Sequence, residues 1–184
     1  SGERPESFEV DRRTIARIES SAYTNTGFDR GHLAPNYAIS TRYGEAAQRE
    51  TFLMSNVMPQ KHGLNAGLWK QLELRAATSY PARFGEIWVL CGPVFDQFLT
   101  RLPGTNRQGP ALPEACYMIL VDESDNRVRA LAFLFPQDPA PNTNLGDYLT
   151  TIDEIERRTG LDFLAGLPDA TETELESRPA SRVW

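Results

Sequence analysis

Two apolar runs, Ala115 to Asp122 and Val128 to Phe135, are separated by little more than Glu123-Ser124-Asp125-Asn126, and this spacing constrains the fold more than any other stretch of the chain. β-branched and aromatic residues fill both runs, and the polar residues between them are turn formers, so the pair predicts an antiparallel hairpin. Glu86 to Leu90 reads as a further strand broken by Gly92-Pro93. Phe52 to Met54 reads as a brief buried strand ending at Ser55-Asn56, followed by a loop through Pro59 and Gly63. Helical spacing is clearest from Asn65 to Ser79, where Leu68, Trp69, Leu72 and Ala76 recur, Asn65 suits the cap and Pro81 lies past the end. Shorter helices are expected at Arg13 to Ser21, Thr41 to Glu50 and Leu149 to Arg158, the last stopped near Gly160. Strands interleaved with a few helices around one antiparallel sheet give the α+β class.

A chain of 184 residues that is 40% hydrophobic and 24% charged fits one compact soluble domain over 1–184, with a core that needs no disulfide staples. No apolar run approaches bilayer length, so no membrane partner is expected, and no charged-then-apolar leader opens the sequence, so any export signal is expected to have been removed or never to have existed. Ser1-Gly2 reads as a tag-cleavage scar. Cys91 and Cys116 are too far apart for a CxxC pair, and two readings stay open: buried thiols acting as small hydrophobes, or one bridge between neighbouring strands. The compartment stays open with them; a secreted or periplasmic bacterial protein is favoured over an organellar or cytoplasmic one.

The net charge of -6 is unusual for a protein that handles nucleic acid, but it is unevenly spread. Residues 147 to 176 hold nine acids against Arg157 and Arg158, or -7, leaving +1 for the remainder. Lys61 and Lys70 are the only lysines; the arginines that supply the other basic charges suit bidentate phosphate contacts, and genomic codon bias explains their excess equally well.

Chemistry concentrates in Asp29-Arg30-Gly31-His32-Leu33-Ala34-Pro35, which holds one of only two histidines. A neutral imidazole is suited to take a proton from water near pH 7, and an arginine two positions away suits an anion. Gly31 and Pro35 both oppose helix, which predicts a strand edge or loop for the motif. Asn65 and Glu73 lie eight residues apart, a little over two helical turns, and so share a face. Both are hard oxygen donors suited to Mg²⁺, which keeps most of its waters, although spacing alone gives a capping Asn65 and a solvated Glu73 as the default reading. His62 reads as a solvated loop side chain, and Trp69 and Trp88 as core residues.

Asp29 to Pro35, Leu53 to Gln60, Leu64 to Glu73, Cys91 to Phe95, Leu102 to Thr105, Ile152 to Leu161 and Gly166 to Pro168 occur in an order that resembles one family. That family is the DNA/RNA non-specific endonucleases of the ββα-metal superfamily, which includes secreted bacterial sugar-nonspecific nucleases and mitochondrial endonuclease G. The resemblance covers nearly the whole chain. It implies an α+β, ββα-metal fold, a central antiparallel sheet flanked by helices with the metal-bearing helix near Asn65 to Ser79. It further implies cleavage of DNA and RNA to 5′-phosphate products with Mg²⁺, for which Mn²⁺ or another divalent ion can substitute.

By the same resemblance His32 matches the general base, Asn65 the single direct metal ligand and Glu73 the acid that orients metal-bound water. Asn56 matches a polar residue supporting the site, Arg30 the arginine beside the catalytic loop and Gln60 a substrate-side contact. Asp29 reads as structural support, fixing the loop or its neighbouring arginine by charge-assisted hydrogen bonds. Arg4, ahead of Phe8 and Asp11, is the best match to a phosphate-binding arginine. Where the family carries an arginine one turn after the glutamate this chain has Ala77; Arg75 is the nearby substrate-binding candidate, on another face. The family's amino-terminal strands are not evident, which leaves truncation, processing or a completing partner chain. A homodimer and an inhibitor or partner protein are the implied associations. Two other functions fit the same residues: a metal-dependent phosphodiesterase on small or lipid substrates, and a catalytically idle nucleic-acid- or partner-binding domain.

Overall fold

The computed structural model describes residues 3–103 and 109–184, so Ser1, Gly2, Gly104 and Thr105 of the sequence motifs lie outside the described residues. Two compact units emerge, one of residues 1–73 and 96–113 and the other of 74–95 and 114–184.

In the first unit, only the end of the stretch expected to be helical, Ser20–Tyr23, coils, as a 3-10 turn. Arg17, with φ +46°, takes a left-handed conformation that a continuous helix through 13–21 excludes. Strand β1 (Phe28–His32) pairs antiparallel with β2 (Val57–Lys61), setting Asp29 opposite Gln60, Arg30 opposite Pro59 and His32 opposite Val57. The second strand thus lies where a loop was expected. Pro59 is tolerated because each strand of a two-stranded ribbon has an open edge, where a missing N–H breaks no ladder. The expected strand at 52–54 reduces to a single parallel bridge between Glu9 and Leu53, followed by a 3-10 turn at Met54–Asn56.

Between the strands runs α1 (Asn36–Glu50), starting five residues before the expected Thr41 because Pro35, extended at φ -76° and ψ 138°, serves as its cap position. Gly44 interrupts it with φ +84°. Directly after β2 come α2 (His62–Leu64), a π turn (Asn65–Trp69) and α3 (Lys70–Ala77). The helix therefore begins three residues before the expected cap: Lys61 holds the cap position, and Asn65 opens the wider turn, inside which Gly67 departs from helical geometry. Single π turns within α-helices occur often at functional sites. Tyr23, Met54 and Leu102 form a small core here, with Phe8, Phe28 and Val57 packed on it.

The second unit holds a four-stranded antiparallel sheet in the order β3 (Trp88–Val94), β4 (Ala115–Asp122), β5 (Arg129–Pro136) and β6 (Leu149–Thr150). Strand β4 has the expected bounds and is buried along its length, as an inner strand covered on both faces must be. The connecting turn places Asp125 (φ +56°) and Asn126 (φ +55°) in the left-handed region, which these residue types tolerate. Strand β3 runs on through Gly92-Pro93, expected to break it: β3 is an edge strand, and a Cβ at Gly92 would lie 2.7 Å from the Tyr117 hydroxyl. Trp88, expected in the core, is 54% exposed at its start.

Cys91 and Cys116 are unbridged, lying opposite Met118 and Pro93 respectively, and only Cys116 is fully buried. Pro81 sits inside a short α4 (Ser79–Phe84), one residue after α3 closes. Helix α5 (Ile152–Thr159) starts later than expected because Leu149 and Thr150 join the sheet. Thr151 caps it by accepting from the Glu154 N–H at 3.0 Å, and Gly160 (φ +71°) ends it. Ile152, Ile155 and Phe163 pack with Val94, Ile119 and Val121 in the core of this unit. Helix α6 (Asp169–Ser177) was not signalled by periodicity; its one buried residue is Glu176. Among the described residues no helix is long and apolar enough to cross a membrane.

Candidate active site

Alternation along β1 sends Arg30 and His32 to one face and Asp29 and Gly31 to the other. On the first face the His32 ring lies 5.3 Å from Phe8 and 5.1 Å from Phe52, centroid to centroid. This aromatic slot desolvates the imidazole. Burial first, and the Arg4 charge second, lower its pKa to about 4, so the ring is neutral at physiological pH. Its Nε2 is buried with no hydrogen-bond partner among the described residues. Arg4 itself is exposed, with its guanidinium 5.1 Å from the centre of the Phe52 ring. Arg30 is held by its own contacts, donating from Nε to Ser20 Oγ (2.8 Å) and from Nη2 to the Ser20 carbonyl (2.5 Å), over the Tyr23 and Phe8 rings.

On the second face Asp29 gathers two partners from the helix that follows β2. Asn65 Nδ2 donates to Asp29 Oδ2 at 2.9 Å, and His62 Nδ1 lies 2.8 Å from the same oxygen. His62 is therefore not an unattached loop residue but the first residue of α2, with most of its ring exposed. Engagement of Nδ2 fixes the amide and leaves the Asn65 carbonyl oxygen as the group available to a hard cation. Glu73 lies two turns on and accepts from Trp69 Nε1 at 3.0 Å. Burial raises its pKa to about 7, against the opposing effects of the Trp69 bond and the Lys70 charge. A divalent cation beside such a desolvated carboxylate is held more strongly than it would be in water.

Asn56 is committed to architecture. Its Oδ1 accepts from the Ala34 N–H at 3.0 Å, and its Nδ2 donates to the carbonyls of Ala34 (2.9 Å) and Thr51 (3.0 Å). The Leu33 N–H adds a bond to the Asn56 carbonyl at 2.8 Å. These four bonds hold the segment that leaves His32, so Asn56 shapes the loop. Gln60 requires a correction: it is 0% exposed, packed beneath Gly31 with both side-chain polar atoms lacking hydrogen-bond partners among the described residues. A side chain enclosed in this way offers no open surface to a polymer. Arg75 falls two positions after Glu73 in regular α-helix, about 200° around the axis, so the two do not share a face.

Phe8, Phe52, Ser20 and His62 are the parts of the site that residue patterns did not identify. Each contributes through contacts between distant positions, and no local spacing marks them.

A family model described as DNA/RNA non-specific endonuclease matches residues 1–170. The chain is similar to a nuclease of Serratia marcescens, 33% identical over 153 residues that cover 82% of this chain and 56% of that protein. It is likewise similar to nuclease C1 of Cunninghamella echinulata var. echinulata, 31% identical over 175 residues (90% and 68% of the two chains). Human mitochondrial endonuclease G is 30% identical over 166 residues, 82% and 53% of the two chains. A crystal structure of the EndoG/EndoGI complex matches with a TM-score of 0.76 at 23% identity, over 90% of this chain and 72% of that one, a likeness of fold. The chain spans about half to two thirds of the length of the curated relatives it matches.

Proposed function

The chain belongs to the DNA/RNA non-specific endonuclease family, and from that premise we propose that it is a divalent-metal-dependent endonuclease hydrolysing phosphodiester bonds in both DNA and RNA to 5′-phosphate products. The observation that carries this reading is the Asn65–Asp29 hydrogen bond, which ties the expected metal-bearing helix to the strand that carries His32.

In this mechanism His32, kept neutral by its aromatic slot, takes the proton of the attacking water. Asn65 would hold the cation through its amide oxygen, with Asp29 fixing the amide and Glu73 orienting water beside it; Mg²⁺, when bound, would supply positive charge to the scissile phosphate. A neutral direct ligand leaves most of that charge for the phosphate. Arg30 adds fixed positive charge on the His32 face, and Arg4 is placed to meet the backbone of the substrate. Arg75 is assigned a weaker contact to the polymer, and Gln60 supports the ribbon from beneath Gly31. No member of this set reads a base edge or a 2′-hydroxyl, which accounts for cleavage of both polymers with little sequence preference.

The family match crosses both compact units, and we assign both to one nuclease domain. A proteinaceous inhibitor is a reasonable partner, given the inhibitor complex of the structural relative, and a homodimer is a further assignment. For compartment, secretion or the periplasm is the assignment, with an organelle the alternative that the mitochondrial relatives raise.

The test is degradation of plasmid DNA and of RNA in Mg²⁺. Activity on both, lost in EDTA and in His32→Ala, supports the proposal. Full activity in His32→Ala overturns the mechanism, and intact nucleic acid with retained gel-shift binding indicates an idle binding domain.

A further inference from the structure

The acidic tail carries chemistry that the nuclease site does not use. Helix α6 presents Asp169-Ala170-Thr171-Glu172-Thr173-Glu174-Leu175-Glu176-Ser177, and the single residue it buries is a glutamate, Glu176, at 7% exposure. Burial of an isolated carboxylate is strongly unfavourable unless a hydrogen bond or counter-charge compensates it. The Glu176 Oε1 atom has no hydrogen-bond partner among the described residues. Nor do the neighbouring arginines turn towards it: Arg157 is a bidentate partner of Glu154, Arg158 pairs with Glu114, and Arg178 lies 3.6 Å from Glu174. Instead Asp153 and Glu156 of α5 point at it, with Glu172 and Asp162 adding their charges.

One carboxylate oxygen each from Asp153, Glu156 and Glu176 lies within 4.8 Å of the others. Oxygens that share one Ca²⁺ at about 2.4 Å lie within roughly 4.8 Å of one another, a spacing these three already meet. Mg²⁺ demands shorter bonds and a stricter octahedron. Glu156 is already oriented, since its Oε1 accepts from the Phe163 N–H at 2.6 Å and leaves the other oxygen for a ligand. Asp153, exposed at the rim, leaves space for the waters that complete a coordination shell.

We propose that Asp153, Glu156 and Glu176 form a structural divalent-cation site of Ca²⁺ type that fastens α6 to α5. The ion neutralises the buried carboxylate that α6 inserts, and the helix docks through it in place of the apolar face that its sequence lacks. Residues of the nuclease site take no part.

The test uses the full chain carrying Asn65→Ala, which disables the expected catalytic metal ligand, with Ca²⁺ as the probe. Equilibrium dialysis is expected to show one Ca²⁺ per chain, and the thermal midpoint to rise by several degrees. Adding Asp153→Asn, at an exposed position in the first turn of α5, weakens the affinity at least tenfold, and adding Glu176→Gln abolishes the response. In an otherwise wild-type chain, Asp153→Asn leaves nuclease activity in saturating Mg²⁺ unchanged. The proposal is overturned if the Asn65→Ala protein binds no Ca²⁺, or if binding survives Asp153→Asn and Glu176→Gln. It is also overturned if lowering the pH alone stabilises the protein while Ca²⁺ does nothing, since a proton would then neutralise Glu176.

Discussion

Gly31 is required by space, not by backbone conformation, and its replacement by alanine has a size that the geometry sets. A Cβ at this position would lie 2.2 Å from Gln60 Oε1, 2.5 Å from its Cδ and 2.7 Å from its Cγ, where ordinary contact begins near 3.4 Å. Gln60 has no exposed surface into which to swing, so the whole side chain or the β1–β2 pairing must give way. Overpacking of this kind costs about 1–3 kcal/mol, or a fall in the thermal midpoint of roughly 2–10 °C for a chain of this length. Urea unfolding of wild type, Gly31→Ala, Gln60→Ala and the double variant separates the clash from other effects. The double variant is expected to be less destabilised than the sum of the singles by at least 1 kcal/mol, as for residues in direct contact. A Gly31→Ala cost below about 0.5 kcal/mol, or strictly additive values, refutes the reasoning.

Asn56→Ala removes three side-chain hydrogen bonds from the segment after His32, and urea unfolding should show a loss of about 2–3 kcal/mol; a loss below 1 kcal/mol means that the clamp is not structural. His32 has a folded pKa near 4 against the ordinary 6.5, so the unfolded chain binds the extra proton between those values. Its stabilising contribution is complete above pH 6.5 and is lost as pH falls through 4, by up to about 3 kcal/mol in total. The unfolding free energy of wild type should accordingly fall more steeply than that of His32→Asn over this window, and parallel curves contradict the desolvated slot. Asp122 is fully buried and bonded to Arg129 and Ser124; Arg129→Ala should cost about 3–5 kcal/mol in urea unfolding by stranding the carboxylate, and a neutral result would show that water reaches it.

Residues whose role follows from their neighbours in the sequence were legible, and those defined by distant contacts were not. The hairpin of β4 and β5 was readable because apolar runs and a turn suffice to specify it. Strand β2 was hidden by Pro59, which local propensity excludes from sheets, although pairing with β1 on an open ribbon admits it. Periodicity located the helix carrying Asn65 and Glu73 but missed its start and its π turn, because the Asp29 contact to Asn65 depends on a residue 36 positions away. Helix α6 gave no apolar stripe to read, since the side chain it buries is a carboxylate. The motif named His32, yet nothing nearby indicated that Phe8 and Phe52 would enclose it.

The central claim is a division of labour in which His32 handles the proton and Asn65 the metal. The most direct measurement is the rate of plasmid cleavage as a function of Mg²⁺ concentration in wild type, His32→Ala and Asn65→Ala. The account predicts that His32→Ala lowers the rate at saturating Mg²⁺ by about 10²–10⁴-fold with the Mg²⁺ midpoint unchanged. Asn65→Ala should shift that midpoint upward by an order of magnitude or more. A His32→Ala enzyme at the wild-type rate, or an Asn65→Ala enzyme with the wild-type Mg²⁺ midpoint, contradicts it.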